Sequence, residues 1–213
     1  WVASIISKLK YKTFILTHHA PEDFVSISYF LSKALCYVIR FQKTPNITVS
    51  KASKRLLEKK TPLNNFHVIY NGLDINVRHA PIDFIKKLSL AKEKLIIGSI
   101  GPLDEHKGHE TIIEVIRRSK LLQKKVVFII VGSGNKARTD SLMMKIKKLK
   151  LNKEIILTGF MNENSQNIVS GFDIFVMPTI DFEGFGYSMA EAMLAGVPPV
   201  VSNAGALSEI IIS

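Results

Sequence analysis

The chain has 213 residues, 46% of them hydrophobic and 22% charged, with 12 Gly and 8 Pro. That mixture excludes disordered, collagen-like and low-complexity chains, and the length suits one large domain or two small ones. The formal net charge of +11 is clustered, with eleven basic residues against three acids over 1–60 and twelve against one (Asp140) over 117–153.

In chain order, residues 13–17 (TFILT) read as a buried strand and 24–41 as a core helix by apolar periodicity. After Pro45-Asn46 a short strand is expected at 47–49, then a basic helix over Lys51–Lys60 and a strand at 65–70, closed by Asn71-Gly72. Residues 75–93 mix charge and Pro81 without a clean period and read as a connection between domains. From Lys94 the rhythm is regular. Strands are predicted at Leu95–Ile100, Val126–Val131, 155–157, Ile174–Met177 and 200–202, with helices near 109–122, 137–150, 165–170 and 187–195. Alternation at this spacing predicts an α/β fold, Rossmann-like parallel sheets with helices on both faces. Ligands then belong at the carboxyl ends of the strands.

Three of those ends carry candidate residues. GPLDEHKGHE (101–110) offers Gly101 for close backbone approach and Lys107-Gly108 just before a helix, where an anion is favoured; alone, Lys107 reads equally as a surface lysine. His106 and His109 flank it without the further ligands a metal needs. GSGNKA (132–137) matches Gly-x-Gly-x-x-Ala and raises a nicotinamide- or flavin-binding oxidoreductase as an alternative. Against it, the motif follows the second strand of its unit, and the acid about 20 residues on, Glu154, precedes a strand. Gly184-Phe185-Gly186 leads into a helix near Tyr187, so the amides of Gly186, Tyr187 and Ser188 suit a diphosphate. Glu183 and Glu191 stand eight residues apart, at different depths and not as a paired acid and base.

Together these residues resemble the retaining glycosyltransferases of family 4, the group 1 glycosyltransferases of the GT-B fold. The resemblance rests on Glu183 and Glu191 with Gly184-Phe185-Gly186 between and Ala195-Gly196-Val197-Pro198 after. Asn71-Gly72-Leu73-Asp74, Lys107-Gly108, Val131-Gly132-Ser133-Gly134, Thr158-Gly159-Phe160 and GALSE (205–209) support it in order. It implies that Glu191 bonds the donor's ribose hydroxyls, that Glu183 with Gly184 to Gly186 holds the transferred sugar, and that Lys107 neutralises the leaving diphosphate. Phe160 and Met161 would lie near the base, and Thr17-His18-His19 would bring His19 near the donor sugar. The implied donor is a nucleotide-diphosphate sugar, used without a metal or other cofactor, and the implied acceptor is a glycan or lipid-linked molecule. The expected domains are 1–80 on the acceptor side, a linker at 81–93 and a nucleotide-sugar domain at 94–213.

One departure stands out: Pro102 occupies the place of the family's Gly-Arg-Leu arginine. A charge-assisted hydrogen bond contributes about 1.5–3 kcal/mol, so donor affinity would fall roughly tenfold to hundredfold unless another cation substitutes. A nucleotide-sugar-binding fragment without transfer is therefore the second reading. The start at Trp1 and the end in Ile-Ile-Ile-Ser lead us to expect a fragment of a longer protein. The lone Cys36 excludes an internal disulfide and points to a reducing compartment, hence the cytoplasm. No apolar run reaches the ~18–20 residues of a membrane span. The basic segments suit peripheral contact with an anionic membrane or simply solvated helix faces; nucleic acid is not expected, as no recognition motif is present.

Overall fold

The computed structural model describes residues 15–19, 36, 44–76 and 80–211. Contacts divide the chain into two compact units, one of Trp1–Gly72, Phe182–Phe185 and Gly205–Ser213, the other of Leu73–Asp181 and Gly186–Ala204.

The first unit holds a parallel sheet of β1 (Leu16–His18), β2 (Asn46–Thr48) and β3 (Phe66–Val68), in that order. Thr17, Ile47 and His67 lie side by side across it. Each strand is offset from its predicted bounds, because the ladder rather than the apolar run sets where pairing stops. The fully buried Asn46 anchors β2: its amide nitrogen donates to the carbonyls of Thr44 (3.0 Å) and Asn64 (2.8 Å), and its oxygen pairs with His18 Nε2 at 3.1 Å. Helix α1 (Lys51–Lys60) falls where predicted, because Ser50 caps it by accepting from the Ser53 amide at 3.0 Å. Leu57, Leu63, Phe66 and Cys36 form the core. The predicted helix over 24–41 lies outside the described residues except for Cys36, which is helical and buried.

The second unit's first helix is α2 (Phe84–Lys87), a single turn inside the stretch that reads as a connection between domains. Asp83 creates it by accepting from the Lys86 amide at 2.9 Å, a cap that periodicity does not register. Then follow β4 (Leu95–Ile100), α3 (His109–Arg118), α4 (Lys120–Lys125), β5 (Val126–Val131), α5 (Lys136–Lys148), β6 (Ile155–Gly159), α6 (Ser165–Val169), β7 (Ile174–Met177), α7 (Tyr187–Leu194) and β8 (Pro199–Val201). The single helix expected over 109–122 is two, because Ser119 ends α3 and caps α4 through the Leu122 amide. Helix α8 (Leu207–Ile210), which was not anticipated, belongs to the first unit.

The sheet is wholly parallel, in the order β6-β5-β4-β7-β8. All six residues of β5 are buried, as a central strand covered on both faces requires. Right-handed crossovers put α3 to α5 on one face and α6 with α7 on the other. The order reverses between β4 and β7, the switch point at whose carboxyl edge α/β sheets bind ligands.

His109, the first residue of α3, is 1% exposed, and its Nδ1 has no hydrogen-bond partner. Burial pushes its pKa down from 6.5 to about 4. The folded state thus keeps it neutral while the unfolded chain protonates it near 6.5, so stability present above that pH drains away as the pH falls toward 4. The full effect is about 3 kcal/mol. Denaturant unfolding at pH 7 and pH 4 should show the wild type losing more than His109→Gln by most of that amount; parallel losses would clear His109.

Candidate functional site

Beyond β4 the chain forms a loop that passes through a 3₁₀ turn, Glu105–Lys107, and ends at Gly108, which starts α3. Gly108 takes a left-handed φ of 72°, and a Cβ there would sit 2.0 Å from the Pro178 carbonyl. The Ile180 amide also donates to the His106 carbonyl at 2.8 Å, so the loop is docked on the exit of β7. Lys107 is half-buried in this turn.

Strand β5 exits into Gly132 and Ser133. Gly101 donates to the Val131 carbonyl at 3.0 Å and Leu103 to that of Ser133 at 3.1 Å, so the two loops lie against each other. Beside them opens a pocket of about 300 Å³, lined by Gly101, Pro102, Gly132, Ser133, Phe160, Met161 and neighbours on β4, β5 and α6. Its walls are mostly apolar. Phe160 is 76% exposed, an aromatic face held in solvent at the exit of β6.

Ser165, the first residue of α6, also lines this pocket. Its hydroxyl donates to Glu191 Oε1 at 2.7 Å. Glu191 lies one turn inside α7, half-buried, and its carboxyl titrates above the usual 4.5 because burial disfavours the charge more than the serine bond favours it. Gly186 starts α7 and has no side chain with which to cap it; Tyr187 and Ser188 follow in the first turn.

The second unit therefore assembles Gly101, Gly132, Phe160 and Met161 around one pocket, with Glu191 joined to its rim through Ser165. Lys107 lies on the pocket's first loop but does not line the cavity. Sequence reasoning missed Ser165, whose signal was only its place at a helix start. Pro102 does line the pocket, exposed, where the resemblance called for an arginine. Glu154, needed by the oxidoreductase alternative, lies before β6, its carbonyl accepting from Phe128 at 2.7 Å, at the opposite end of the sheet.

The other candidates belong to the first unit. Glu183 is half-buried, and its carbonyl accepts from the Ala206 amide at 2.8 Å. Gly184 accepts at its carbonyl from Ser53 Oγ at 3.3 Å, and Phe185 is buried. Glu209, the last residue of the GALSE segment that supports the resemblance, accepts from the Ala52 amide at 3.1 Å and so neutralises the start of α1. His18, the last residue of β1, is buried and burial holds its pKa below 6.5, whereas His19, just after it, is exposed. Among the described residues no group of three His, Cys, Asp or Glu could hold a metal ion, and no helix is long and apolar enough to cross a membrane.

Residues 82–213 match the family model described as glycosyl transferases group 1. The chain belongs to this family. It is 31% identical over 188 residues to an uncharacterized glycosyltransferase of Methanocaldococcus jannaschii, covering 84% of this chain and 47% of that protein. It is 27% identical over 139 residues to the O-antigen biosynthesis glycosyltransferase WclY of Escherichia coli, covering 64% and 37%. The chain thus spans about half or less of these relatives. Among solved structures, HepE of Anabaena in complex with UDP and glucose matches with a TM-score of 0.84 at 22% identity, over 100% of this chain and 59% of that one. Sucrose-phosphate synthase of Thermosynechococcus elongatus matches with 0.77 at 18%, over 100% and 57%. The fold of this group 1 glycosyltransferase is accordingly of the GT-B class.

Proposed function

We propose that the chain is the donor-side part of a retaining glycosyltransferase, which moves a sugar from a nucleotide-diphosphate sugar to a glycan or lipid-linked acceptor. The observation that carries this is Glu191, a desolvated carboxylate held by Ser165 at the rim of an apolar pocket at the strands' carboxyl ends. Such a pocket takes a flat base between Phe160 and Met161, with Gly101 and Gly132 admitting it close to backbone. Glu191 then accepts from the ribose hydroxyls. The diphosphate falls to the first-turn amides of α7, from Gly186 through Ser188, and to Lys107. Breaking the sugar–phosphate bond builds a third negative charge on the departing nucleotide diphosphate and makes the sugar oxocarbenium-like, and fixed cations and amides lower that barrier. On this reading no metal takes part. Glu183, with the Gly184 to Gly186 backbone, holds the transferred sugar, and His19 lies near it. We assign residues 1–80 to the acceptor-side domain and 94–213 to the donor domain, although contacts group Leu73 onward with the second unit and Phe182–Phe185 and Gly205–Ser213 with the first. HepE of Anabaena, with UDP and glucose bound, supports a nucleotide-sugar donor.

The test is a transfer assay on the full-length protein, with calorimetry against a panel of nucleotide sugars and NAD(P). Glu183→Ala should abolish transfer; unchanged transfer would remove Glu183 from the site. Pro102 favours a second reading, binding without transfer, which the same assay separates. The exposed Lys145, Lys147 and Lys148 at the end of α5 suit contact with an anionic membrane from the cytoplasm. Vesicle binding that survives their neutralisation would count against that part.

A further inference from the structure

We propose that Arg138 is a positioning residue for donor binding, its guanidinium locking the loop 101–108 to the start of α5; the link to the donor rests on the function proposed above. Arg138 is the third residue of α5, and its amide donates to the capping Asn135 side chain at 2.8 Å, so its own backbone is fixed. Its Nε donates to the Leu103 carbonyl at 2.8 Å, in the middle of the loop. Its two terminal nitrogens donate to the two carboxylate oxygens of Glu110, Nη1 to Oε1 and Nη2 to Oε2 at 2.7 Å. Glu110 stands in the first turn of α3, directly beyond the loop's end.

One planar fork thus joins three segments, α5, the loop and α3, with only 12% of the arginine side chain exposed. The pair also holds the Glu110 carboxyl below its usual range. Lys107 lies between the two anchored residues, Leu103 and Glu110, while Gly101 and Pro102 precede the first anchor and line the pocket. The loop is otherwise held at its start by the Gly101 and Leu103 amides on β5's exit and at His106 by the Ile180 amide, so freeing the Arg138 side would loosen the stretch between Leu103 and Gly108 that carries Lys107. A donor would then have to order that stretch on binding, which weakens affinity. One N–H of each of Nε, Nη1 and Nη2 is engaged by Leu103 and Glu110, and Arg138 does not line the pocket, so it does not stand in for the arginine that Pro102 replaces. It shapes the loop instead.

Arg138→Lys retains the charge, but one ammonium cannot reach both Leu103 and Glu110 in place of the fork. In the full-length protein, amide hydrogen exchange across 101–108 should quicken roughly tenfold or more in Arg138→Lys, with β5 unchanged, and less strongly in Glu110→Gln. With the nucleotide sugar that the wild type uses, KM should rise about tenfold or more while kcat stays within about threefold. Unaltered exchange in the loop overturns the clamp, whatever the ligand. Faster exchange with unaltered KM overturns its role in donor binding. A wild type that binds no nucleotide sugar overturns the donor reading, and the exchange result still decides the clamp. Glu110→Gln carries the test should Arg138→Lys fail to fold.

Discussion

Glu191→Ala should lower kcat/KM for sugar transfer by the full-length protein roughly 10²- to 10³-fold, with an unfolding midpoint close to that of the wild type. A carboxylate that accepts from two ribose hydroxyls makes two charge-assisted bonds of about 1.5–3 kcal/mol each, and water restores part of that when the side chain is removed. On the proposed reading most of the loss should appear in KM, because a ribose contact is made alike in ground and transition states. Little stability should go with it: burial already disfavours the ionised form, and Ser165 loses one partner at a cost of about 1 kcal/mol. The pH dependence has a definite sign. The folded pKa lies above 4.5, so acidification protonates Glu191 earlier than an ordinary glutamate, and donor KM should climb as the pH falls through that raised value. Glu191→Gln should abolish the climb. A KM within threefold of wild type for Glu191→Ala would place the ribose elsewhere.

Much of the second unit is legible in the sequence because its central strands, β5 above all, are largely buried. Val126–Val131 and Leu95–Ile100 are apolar, branched runs that fit few other structures, and their spacing dictates parallel pairing. The glycines that follow them mark close approach, so Gly101 and Gly132 on the pocket wall were readable. What escaped was set by single capping side chains or by distance. Asp83 nucleates α2 and Ser119 divides α3 from α4, and neither alters the hydrophobic period around it. Arg138 and Glu110 are 28 residues apart on separate helices, and nothing local announces that they meet. Glu209 shows the converse: GALSE resembles a family motif by spacing alone, and its carboxylate is engaged by the start of α1. Motif spacing identifies which residues are present; hydrogen-bond accounting shows what each is occupied with.

Gly132→Ala should destabilise the protein by about 3–5 kcal/mol, a large share of the ~5–15 kcal/mol that ordinarily holds a fold together. Gly132 has a φ of 145°, in a region that strains any side chain by about 1–3 kcal/mol. An added Cβ would also lie 1.8 Å from the Gly101 carbonyl oxygen, so one loop must move. Neither moves freely: Gly132 donates to the Gly159 carbonyl at 3.0 Å, and Gly101 is tied to Val131. Gly101→Ala is the matched control. Its φ of 155° carries similar strain, but a Cβ there meets nothing within 4 Å, so its cost should be about 1–3 kcal/mol. The difference between the two unfolding free energies isolates the contact between the loops, and with it the packing on which the pocket wall depends. Equal losses would mean that strain alone requires glycine at both sites. A larger loss at Gly132, together with weaker nucleotide-sugar binding at temperatures where the variant stays folded, would show the same contact supporting both the fold and the site.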